Sequence, residues 1–259
     1  MKIVVCVKHV PDATAQRRFD ADHTVDRAGV DGLLSELDEY AVEEALQIAA
    51  AHDGEVVVLT VGPDQAADAA RKSLQMGADS AVHVVDEQLH GSDAIATSLV
   101  LAEAVRKIGD YDIVVCGMAS TDGAMGVVPA MLAERLGVPQ VTFAAEVSVD
   151  SGSVTARRDA DLATETIEAS MPLVLSVTDQ INEPRYPSFK GIMGAKKKPV
   201  QTWSLADLGV DADQVGLAAA WSVVHSVAAR PPRSQGVVVT DDGAGGRQLA
   251  DYLAEQKFI

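Results

Sequence analysis

Residues 3–7 read Ile3-Val4-Val5-Cys6-Val7, an apolar run in which neither face of a strand would be polar. Successive side chains of a strand point to opposite faces, so a run that is apolar throughout is expected to be buried on both sides. Such burial is typical of parallel sheets that are covered by helices. Further runs of this kind extend the pattern along the chain: Glu55–Val61, Ala81–Val85 and Ile113–Cys116.

The segments between these strands have the spacing of amphipathic helices, because apolar residues recur every three or four positions. These segments are 38–51, 65–76, 92–108 and 126–136. Strands that alternate with helices favour right-handed crossovers. The sequence therefore predicts an α/β fold with a doubly wound, mostly parallel, Rossmann-like sheet and helices on both faces.

The pattern changes after residue 140. The runs 141–149, 153–157 and 163–169 follow one another without helical segments and predict antiparallel strands added to the sheet. Residues 172–177 predict another core strand. We expect one α/β domain over 1–204, and over 205–259 a linker as far as residue 235 followed by an extended C-terminal arm with a helix near 246–256.

Composition and charge limit the class of protein. The chain has 259 residues, with 21 Lys and Arg against 38 Asp and Glu and a formal net charge of −17. An apolar content of 47% excludes a disordered acidic protein, and the negative charge argues against nucleic acid as a partner. No apolar run reaches the roughly 18 residues of a membrane span. Cys6 and Cys116 lie in apolar runs, which predicts buried, reduced thiols and a cytoplasmic protein without a signal peptide.

Ligands of an open parallel sheet bind beyond the carboxyl ends of the strands, where the strand order reverses. The most informative segment at such a position is Gly117–Gly126, a strand-to-helix connection with three glycines, two hydroxyl groups and a carboxylate. Glycines let backbone N–H groups approach a phosphate, and a helix N-terminus attracts it. No Lys or Arg lies between Gly117 and Arg135, which favours a less charged phosphate over a triphosphate. The alternative is an ordinary turn in which Asp122 is the N-cap of the next helix.

Catalytic patterns are poor in this sequence. The six histidines show no metal-ligand spacing, and no Cys-x-x-Cys, His-Glu-x-x-His or Gly-x-Ser-x-Gly motif is present. The acidic pair Glu43 and Glu44 lies on a predicted helix, and we interpret it as part of a solvated face. The sequence therefore favours a binding or carrier protein, without catalytic or metal-binding residues, over a group-transfer enzyme.

Residues 182–199 are basic in an otherwise acidic chain. Five cations stand against Glu183, which gives a local charge of +4, and apolar side chains lie among them. The cations are Arg185, Lys190, Lys196, Lys197 and Lys198, and the apolar residues are Tyr186, Phe189, Ile192 and Met193. Apolar groups on a proline-bounded loop with a cationic surround indicate a docking element. The alternative is a solvated connection with ordinary surface lysines.

In combination, several short motifs closely resemble the β-subunit of electron transfer flavoprotein. The resemblance runs from Met1 to about Asp211 and again over Leu253–Ile259. It is carried by Val7-Lys8-His9-Val10-Pro11-Asp12, Ala41-Val42-Glu43-Glu44-Ala45, Gly62-Pro63, Met76-Gly77-Ala78-Asp79, Asn182-Glu183-Pro184-Arg185-Tyr186 and Ala195-Lys196-Lys197-Lys198.

The resemblance implies an electron carrier that works as a heterodimer. The α-subunit would hold most of the FAD, and the β-subunit would bind AMP in its own nucleotide site. Electrons would enter from flavin dehydrogenases, such as the acyl-CoA dehydrogenases of fatty acid oxidation, and leave toward a quinone reductase. Residues 1–204 would then be the nucleotide-binding domain, with a recognition loop over 184–199, and 205–259 would pack on this subunit or on its partner.

The resemblance also implies site residues. The AMP-contacting residues would be Cys6, Ser35, Leu37, Asp38, Val61, Asp122, Gly123, Ala124, Met125, Gly126, Val127, Val128 and Pro129. Those that anchor the partner dehydrogenase would be Tyr186, Phe189, Lys190, Ile192, Met193 and Lys196, and Glu165 would lie near the subunit interface. Many relatives have Gln-Thr-Gly in the phosphate loop. This chain does not, which leaves the phosphate to backbone N–H groups and to Ser120 or Thr121.

Other readings stay open at this point. An electron-bifurcating relative would hold a second FAD in place of AMP. A stand-alone regulatory protein that binds a nucleotide would need no partner, and the apolar residues of the basic loop would then have no purpose.

Overall fold

The computed structural model describes residues 1–233 and 236–259, which divide into the compact units Met1–His225 and Ser226–Ile259. The strands are β1 (Lys2–Cys6), β2 (His9–Pro11), β3 (Gly32–Leu34), β4 (Glu55–Val61), β5 (Ser80–Val84), β6 (Ile113–Gly117), β7 (Gln140–Asp150), β8 (Ser153–Asp159), β9 (Thr164–Ser170), β10 (Leu173–Val177) and β11 (Val200–Trp203). The helices are α1 (Glu36–Ala51), α2 (Ala67–Met76), α3 (Ala94–Ile108), α4 (Val128–Leu136), α5 (Phe189–Ala195), α6 (Leu205–Leu208), α7 (Gly216–Ala219) and α8 (Gly245–Glu255).

A nine-stranded sheet with the order β11-β5-β4-β1-β6-β10-β7-β8-β9 forms the centre of the first unit. Neighbouring strands pair in parallel from β11 across to β7, and β7, β8 and β9 pair antiparallel. Strands β2 and β3 form a separate antiparallel pair. The predicted α/β class, with its mostly parallel sheet and added antiparallel strands, is confirmed.

Two apolar layers cover the sheet, as the uninterrupted apolar strands predicted. Val5 and Val58 pack in one layer with side chains of α1 and α2, whereas Val4 and Leu59 pack in the other with those of α3 and α4. Each fully buried side chain of this size stabilises the fold by about 1.5–3 kcal/mol. Cys6 and Cys116 are both buried and free, as predicted.

Helix α4 begins later than its apolar pattern predicted. The pattern started at Gly126, but this residue has φ of +66°, a left-handed conformation that glycine adopts readily and that a helix does not contain. The helix therefore begins at Val128, with Pro129 in its first turn, where a missing N–H costs nothing. Because α4 begins at Val128, residues 118–127 form an irregular loop at the end of β6.

The region after residue 204 was predicted to begin as a linker. Residues 205–219 contain α6 and α7, and Leu205, Val210 and Val215 are buried in the apolar layer that also contains Val4. Of the predicted linker, residues 234 and 235 lie outside the described residues. The second compact unit contains α8 near the predicted helix, and the boundary at residue 204 stays a prediction. Within the described ranges, no helix combines the length and apolarity needed to cross a membrane.

Candidate functional site

The strand order reverses next to β1. The chain runs outward from β1 to β4 and β5, and then returns to place β6 on the other side of β1. Ligands of open α/β sheets bind next to such a reversal, at the carboxyl ends of the strands on either side of it. In this sheet those strands are β1 and β6.

The end of β1, the start of α1 and the end of β6 meet at this edge. The backbone N–H of Ser35 donates to the Lys8 carbonyl oxygen at 2.9 Å, and the Lys8 N–H donates to Asp38 Oδ2 at 2.8 Å. Asp38 also accepts from the backbone N–H of Gly117. Of the other predicted contacts, Cys6 ends β1, Val61 ends the adjacent β4, and Leu37 is half-buried in the first turn of α1.

Asp38 is a buried carboxyl group at the centre of these contacts. Burial raises its pKa to about 7, although the hydrogen bonds from Lys8 and Gly117 oppose the shift. A Cβ atom at Gly117 would lie 2.5 Å from Asp38 Oδ1, so only glycine fits at the end of β6. The carboxyl group thus holds together the ends of β1 and β6 and the start of α1.

We expect the stability of the fold to fall with rising pH because of Asp38. The folded state retains this proton up to about pH 7, whereas the unfolded chain releases it near the ordinary pKa of 3.8. The folded state therefore binds more protons between these values, and the free energy of unfolding falls by up to about 1.4 kcal/mol per pH unit. Urea unfolding of the wild type and of Asp38→Asn over this range measures the effect. A stability difference between them that does not change with pH would contradict it.

Asp122 lies in a charged cluster rather than at a helix cap. Its carboxylate accepts from Lys8 Nζ at 2.8 Å, from Arg27 Nη2 at 2.6 Å and from the Gly123 N–H at 2.7 Å. Burial would raise its pKa, but the two cations outweigh burial and hold the pKa well below the usual range. The alternative that Asp122 is the N-cap of α4 is wrong, because Val127 takes that position.

The cations of this cluster come from other loops. No Lys or Arg lies between Gly117 and Arg135, but Lys8 reaches the loop from the end of β1, and Arg17 and Arg27 reach it from the connection between β2 and β3. Arg17 Nη2 donates to the Thr121 carbonyl oxygen at 2.8 Å. Sequence reasoning missed Arg17 and Arg27, because nothing in an irregular stretch shows which distant loop it contacts.

Beyond Asp122, the loop presents unused backbone donors. Gly123 and Ala124 donate to groups of the loop itself, at Ser120 and Asp122. Within the described residues, the N–H groups of Met125, Gly126, Val127 and Val128 have no acceptor in the protein. They precede or begin α4, whose dipole also favours an anion.

Ser35 supplies a hydroxyl group near the same edge. It precedes α1 and is completely buried, yet its side chain does not cap the helix. Its Oγ has no hydrogen-bond partner among the described residues. A buried hydroxyl without a partner costs about 1–3 kcal/mol, which a ligand atom could recover by bonding to it. The donor set therefore fits a phosphate-bearing ligand.

The predicted docking segment contains a short helix. Ser188 caps α5, and its side chain accepts from the Gly191 N–H at 3.0 Å. The apolar side chains are exposed by 92% at Tyr186, 81% at Phe189, 39% at Ile192 and 49% at Met193. Lys190, Lys196 and Lys197 are also exposed.

The other two cations of this segment bind within the protein. Lys198 Nζ donates to the carbonyl oxygens of Leu74, Gly77 and Ala78 at 2.6–3.0 Å. Arg185 donates to Glu43 through Nε at 2.6 Å and Nη2 at 2.9 Å. They fix both ends of the segment to the protein, whereas Lys190, Lys196 and Lys197 between them extend into solvent.

The interpretation of Glu43 and Glu44 as a solvated face is wrong. Their exposures are 4% and 7%, and Asn182 Nδ2 donates to Glu44 Oε2 at 3.0 Å. Burial would raise the pKa of Glu43, but its bonds with Arg185 and Gln47 outweigh burial and lower it. The acidic motif of α1 thus anchors the Asn182–Tyr186 motif, a relation that 142 residues of separation hide from local pattern analysis.

Glu165 lies on the outer strand β9. It is exposed and forms an ion pair with Arg158 Nη2 on β8 at 2.7 Å. Its predicted place at a subunit interface stays a prediction. No group of three or more His, Cys, Asp or Glu side chains in the described ranges is arranged to hold a metal ion.

The fold and the site are together typical of α/β proteins that bind nucleotides at the carboxyl ends of their strands. The family model described as "Electron transfer flavoprotein domain" matches residues 22–208. The chain is 49% identical over 263 residues to the electron transfer flavoprotein subunit beta of Mycobacterium tuberculosis, with 99% of each chain covered. Identity to the corresponding subunit of Megasphaera elsdenii is 36% over 271 residues, with 100% of each covered.

A third relative has a different name. The chain is 34% identical over 264 residues, with 100% of each chain covered, to subunit CarD of the caffeyl-CoA reductase-Etf complex of Acetobacterium woodii. The chain belongs to the electron transfer flavoprotein β-subunit family, and the predicted resemblance is confirmed. Its role is in electron transfer.

Proposed function

We propose that this chain pairs with an electron transfer flavoprotein α-subunit, binds AMP at the carboxyl edge of its sheet, and shares an FAD that the α-subunit mostly holds. In this proposal the complex accepts electrons from flavin dehydrogenases, such as acyl-CoA dehydrogenases, and passes them to a quinone reductase. The observation that carries the nucleotide site is the row of N–H groups from Met125 to Val128, which have no acceptor in the part of the chain that the structure describes and lie beside the charged cluster of Asp122.

The charge of the cluster supports AMP over a more highly charged ligand. Lys8, Arg17 and Arg27 contribute three positive charges and Asp122 removes one, which leaves +2 beside the loop. This value suits one phosphate group better than a triphosphate. A second FAD in this position, as in a bifurcating relative, is the alternative.

FAD, when bound, supplies the electron-carrying chemistry. The protein supplies binding and orientation: the loop after β6 would hold the phosphate, Ser35 Oγ would bond to a polar ligand atom, and Leu37 would approach the edge of the flavin ring. We assign no catalytic residue to the chain. Its unbridged, buried thiols are those expected of a cytoplasmic protein.

We expect the chain purified alone to be almost colourless and to become yellow only with its α-subunit. The reason is that the loop after β6 offers donors for a single phosphate group and no dinucleotide fingerprint. Absorbance at the flavin bands, before and after mixing with the FAD-bearing α-subunit, is the measurement. Stoichiometric flavin on the isolated chain would overturn the proposed division of the cofactor.

The exposed apolar side chains of the docking segment support its role as the contact for the dehydrogenase. Phe189 is 81% exposed on a segment that Arg185 and Lys198 fix at its ends. A segment that is already ordered loses little entropy on docking. Lys190, Lys196 and Lys197 would steer an acidic partner toward it. We also place Glu165 at the interface with the α-subunit, through its exposed position on β9.

Phe189→Ala is expected to weaken binding of the dehydrogenase by about 30-fold, since truncation of a buried aromatic anchor commonly costs about 2 kcal/mol. Stopped-flow reduction of the complex at increasing concentrations of the dehydrogenase measures the apparent affinity, and dithionite reduction and FAD content should be normal. Leu162→Ala is the matched control, because Leu162 is an apolar residue that is 99% exposed in the β8–β9 turn, outside the docking segment. An equal affinity in wild type and Phe189→Ala would favour the alternative interpretation, in which the segment is a solvated connection and not a docking element.

A further inference from the structure

Phe143 has a backbone conformation that is unusual for its residue type. Its φ is +58°, in the left-handed region, although it lies within β7. A bulky residue rarely adopts this region, and holding it there costs on the order of 1–3 kcal/mol. Such strain persists only where the surroundings impose it, and it often marks a functional position.

A β-bulge imposes this conformation. Val141 pairs with Leu175 and Ala144 pairs with Val177, so Thr142 and Phe143 together oppose the single residue Ser176. Ser176 is completely buried in β10, and its Oγ accepts the Phe143 N–H at 3.0 Å. The hydroxyl group thus satisfies the donor that the bulge removes from the strand ladder. Bulges of this kind redirect a side chain, and they are frequent beside functional sites.

The redirected side chain lies against the loop after β6. A Cβ atom at Gly126 would lie 3.5 Å from Phe143 Cζ and 3.3 Å from the Met118 carbonyl oxygen. Gly126 itself has φ of +66° and stands in the middle of the free N–H groups of residues 125–128. The ring of Phe143 therefore packs on the turn at Gly126, which sets the direction of these N–H groups.

We propose that Phe143 is a positioning residue for the nucleotide phosphate: the bulge at Ser176 turns its ring onto Gly126 and fixes the N–H groups of residues 125–128 in one arrangement before the ligand binds. This inference rests on the proposed nucleotide site. Without the ring, the loop would have to be ordered at the moment of binding, and the affinity for the phosphate group would fall.

Two truncations separate this role from simple packing. Phe143→Ala removes the ring and retains the strained backbone, whereas Phe143→Gly removes the ring and relieves the strain. Phe143→Gly should therefore be the more stable of the two. Both should bind AMP about tenfold or more weakly, because each leaves the loop unsupported. Phe143→Leu retains an apolar side chain at this position without adding a polar atom against Gly126, and it should restore part of the affinity.

The experiment uses the complex with the α-subunit, freed of AMP and titrated with AMP in a calorimeter, with unfolding followed separately. Tyr111→Ala is the matched control, since Tyr111 is a half-buried aromatic residue before the amino end of β6, and it should lose stability without losing AMP affinity. AMP affinities that follow the stabilities of the variants, or that do not change, would overturn the positioning role.

The nucleotides that the wild-type complex binds distinguish a failure of the AMP site from a failure of the role of Phe143. If the wild-type complex binds FAD in place of AMP, the AMP assignment fails, and the same variants titrated with FAD decide the role of Phe143. If the wild-type complex binds neither nucleotide at this site, both the nucleotide site and the role of Phe143 are wrong.

Discussion

Replacing Arg185 with leucine is expected to lower the free energy of unfolding by about 3 kcal/mol at neutral pH. The substitution leaves the Glu43 carboxylate, with a side-chain exposure of 6%, without its cation. It also removes a two-point contact between α1 and the Asn182–Tyr186 motif, so the docking segment loses one of its fixed ends. Urea unfolding measures the loss.

The pH dependence identifies the cause. In the wild type the pKa of Glu43 is lowered, so its stabilising contribution is present above its ordinary pKa of 4.5 and is lost as the pH falls through the lowered value. In Arg185→Leu only burial and the weaker hydrogen bonds act on Glu43, so the pKa of Glu43 should rise. Protonation of Glu43 then removes the buried charge and restores part of the variant's stability. The difference between wild type and variant should therefore shrink from neutral pH toward about pH 4.

An exposed ion pair provides the control. Arg71 and Asp68 pair on the surface of α2 with side-chain exposures of 63% and 62%, and Arg71→Leu should change stability by no more than about 0.5 kcal/mol. A loss in Arg185→Leu as small as in this control would mean that the Glu43 pair contributes little.

Asp122→Asn is expected to destabilise the fold by about 3 kcal/mol and to reduce retention of the nucleotide. The carboxylate accepts from Lys8, Arg27 and Gly123, and bonds to a charged group are worth more than neutral ones. Lys8 and Arg27 are partly exposed, so water can solvate their charges when the carboxylate is absent. The loss in the free energy of unfolding is therefore smaller than for a fully buried ion pair. Loss of this anchor would free the loop after β6 from Lys8 at the end of β1 and from Arg27 in the connection between β2 and β3.

Asp68→Asn is the control for this substitution, and it should change neither stability nor nucleotide content. Because the pKa of Asp122 is lowered, the wild type should keep its advantage down to about pH 4 and lose it only as the pH falls further. An Asp122→Asn protein as stable as wild type at neutral pH would show that the cluster does not hold the loop.

The parts predicted from the sequence are those that local pattern determines. The apolar runs of β1 and β4 identified buried parallel strands, and the position of residues 117–126 after a predicted strand correctly placed this loop at the carboxyl end of β6. Glu43 was misread because a charge on a helix is normally solvated, and its partner Arg185 lies far along the chain. Arg27 and Phe143 gave no local signal, since a long-range ion pair and a bulge against Ser176 exist only in the folded chain.

The nucleotide content of the complex tests the central claim most directly. The chain would be purified with its α-subunit, the complex denatured, and the released nucleotides identified and counted by chromatography and mass spectrometry. The account predicts FAD and AMP in equal amounts, one of each per heterodimer, with AMP reduced in Asp122→Asn and normal in Asp68→Asn. FAD in twofold amount without AMP, or FAD alone in single amount, would contradict the AMP site at the carboxyl edge of this sheet.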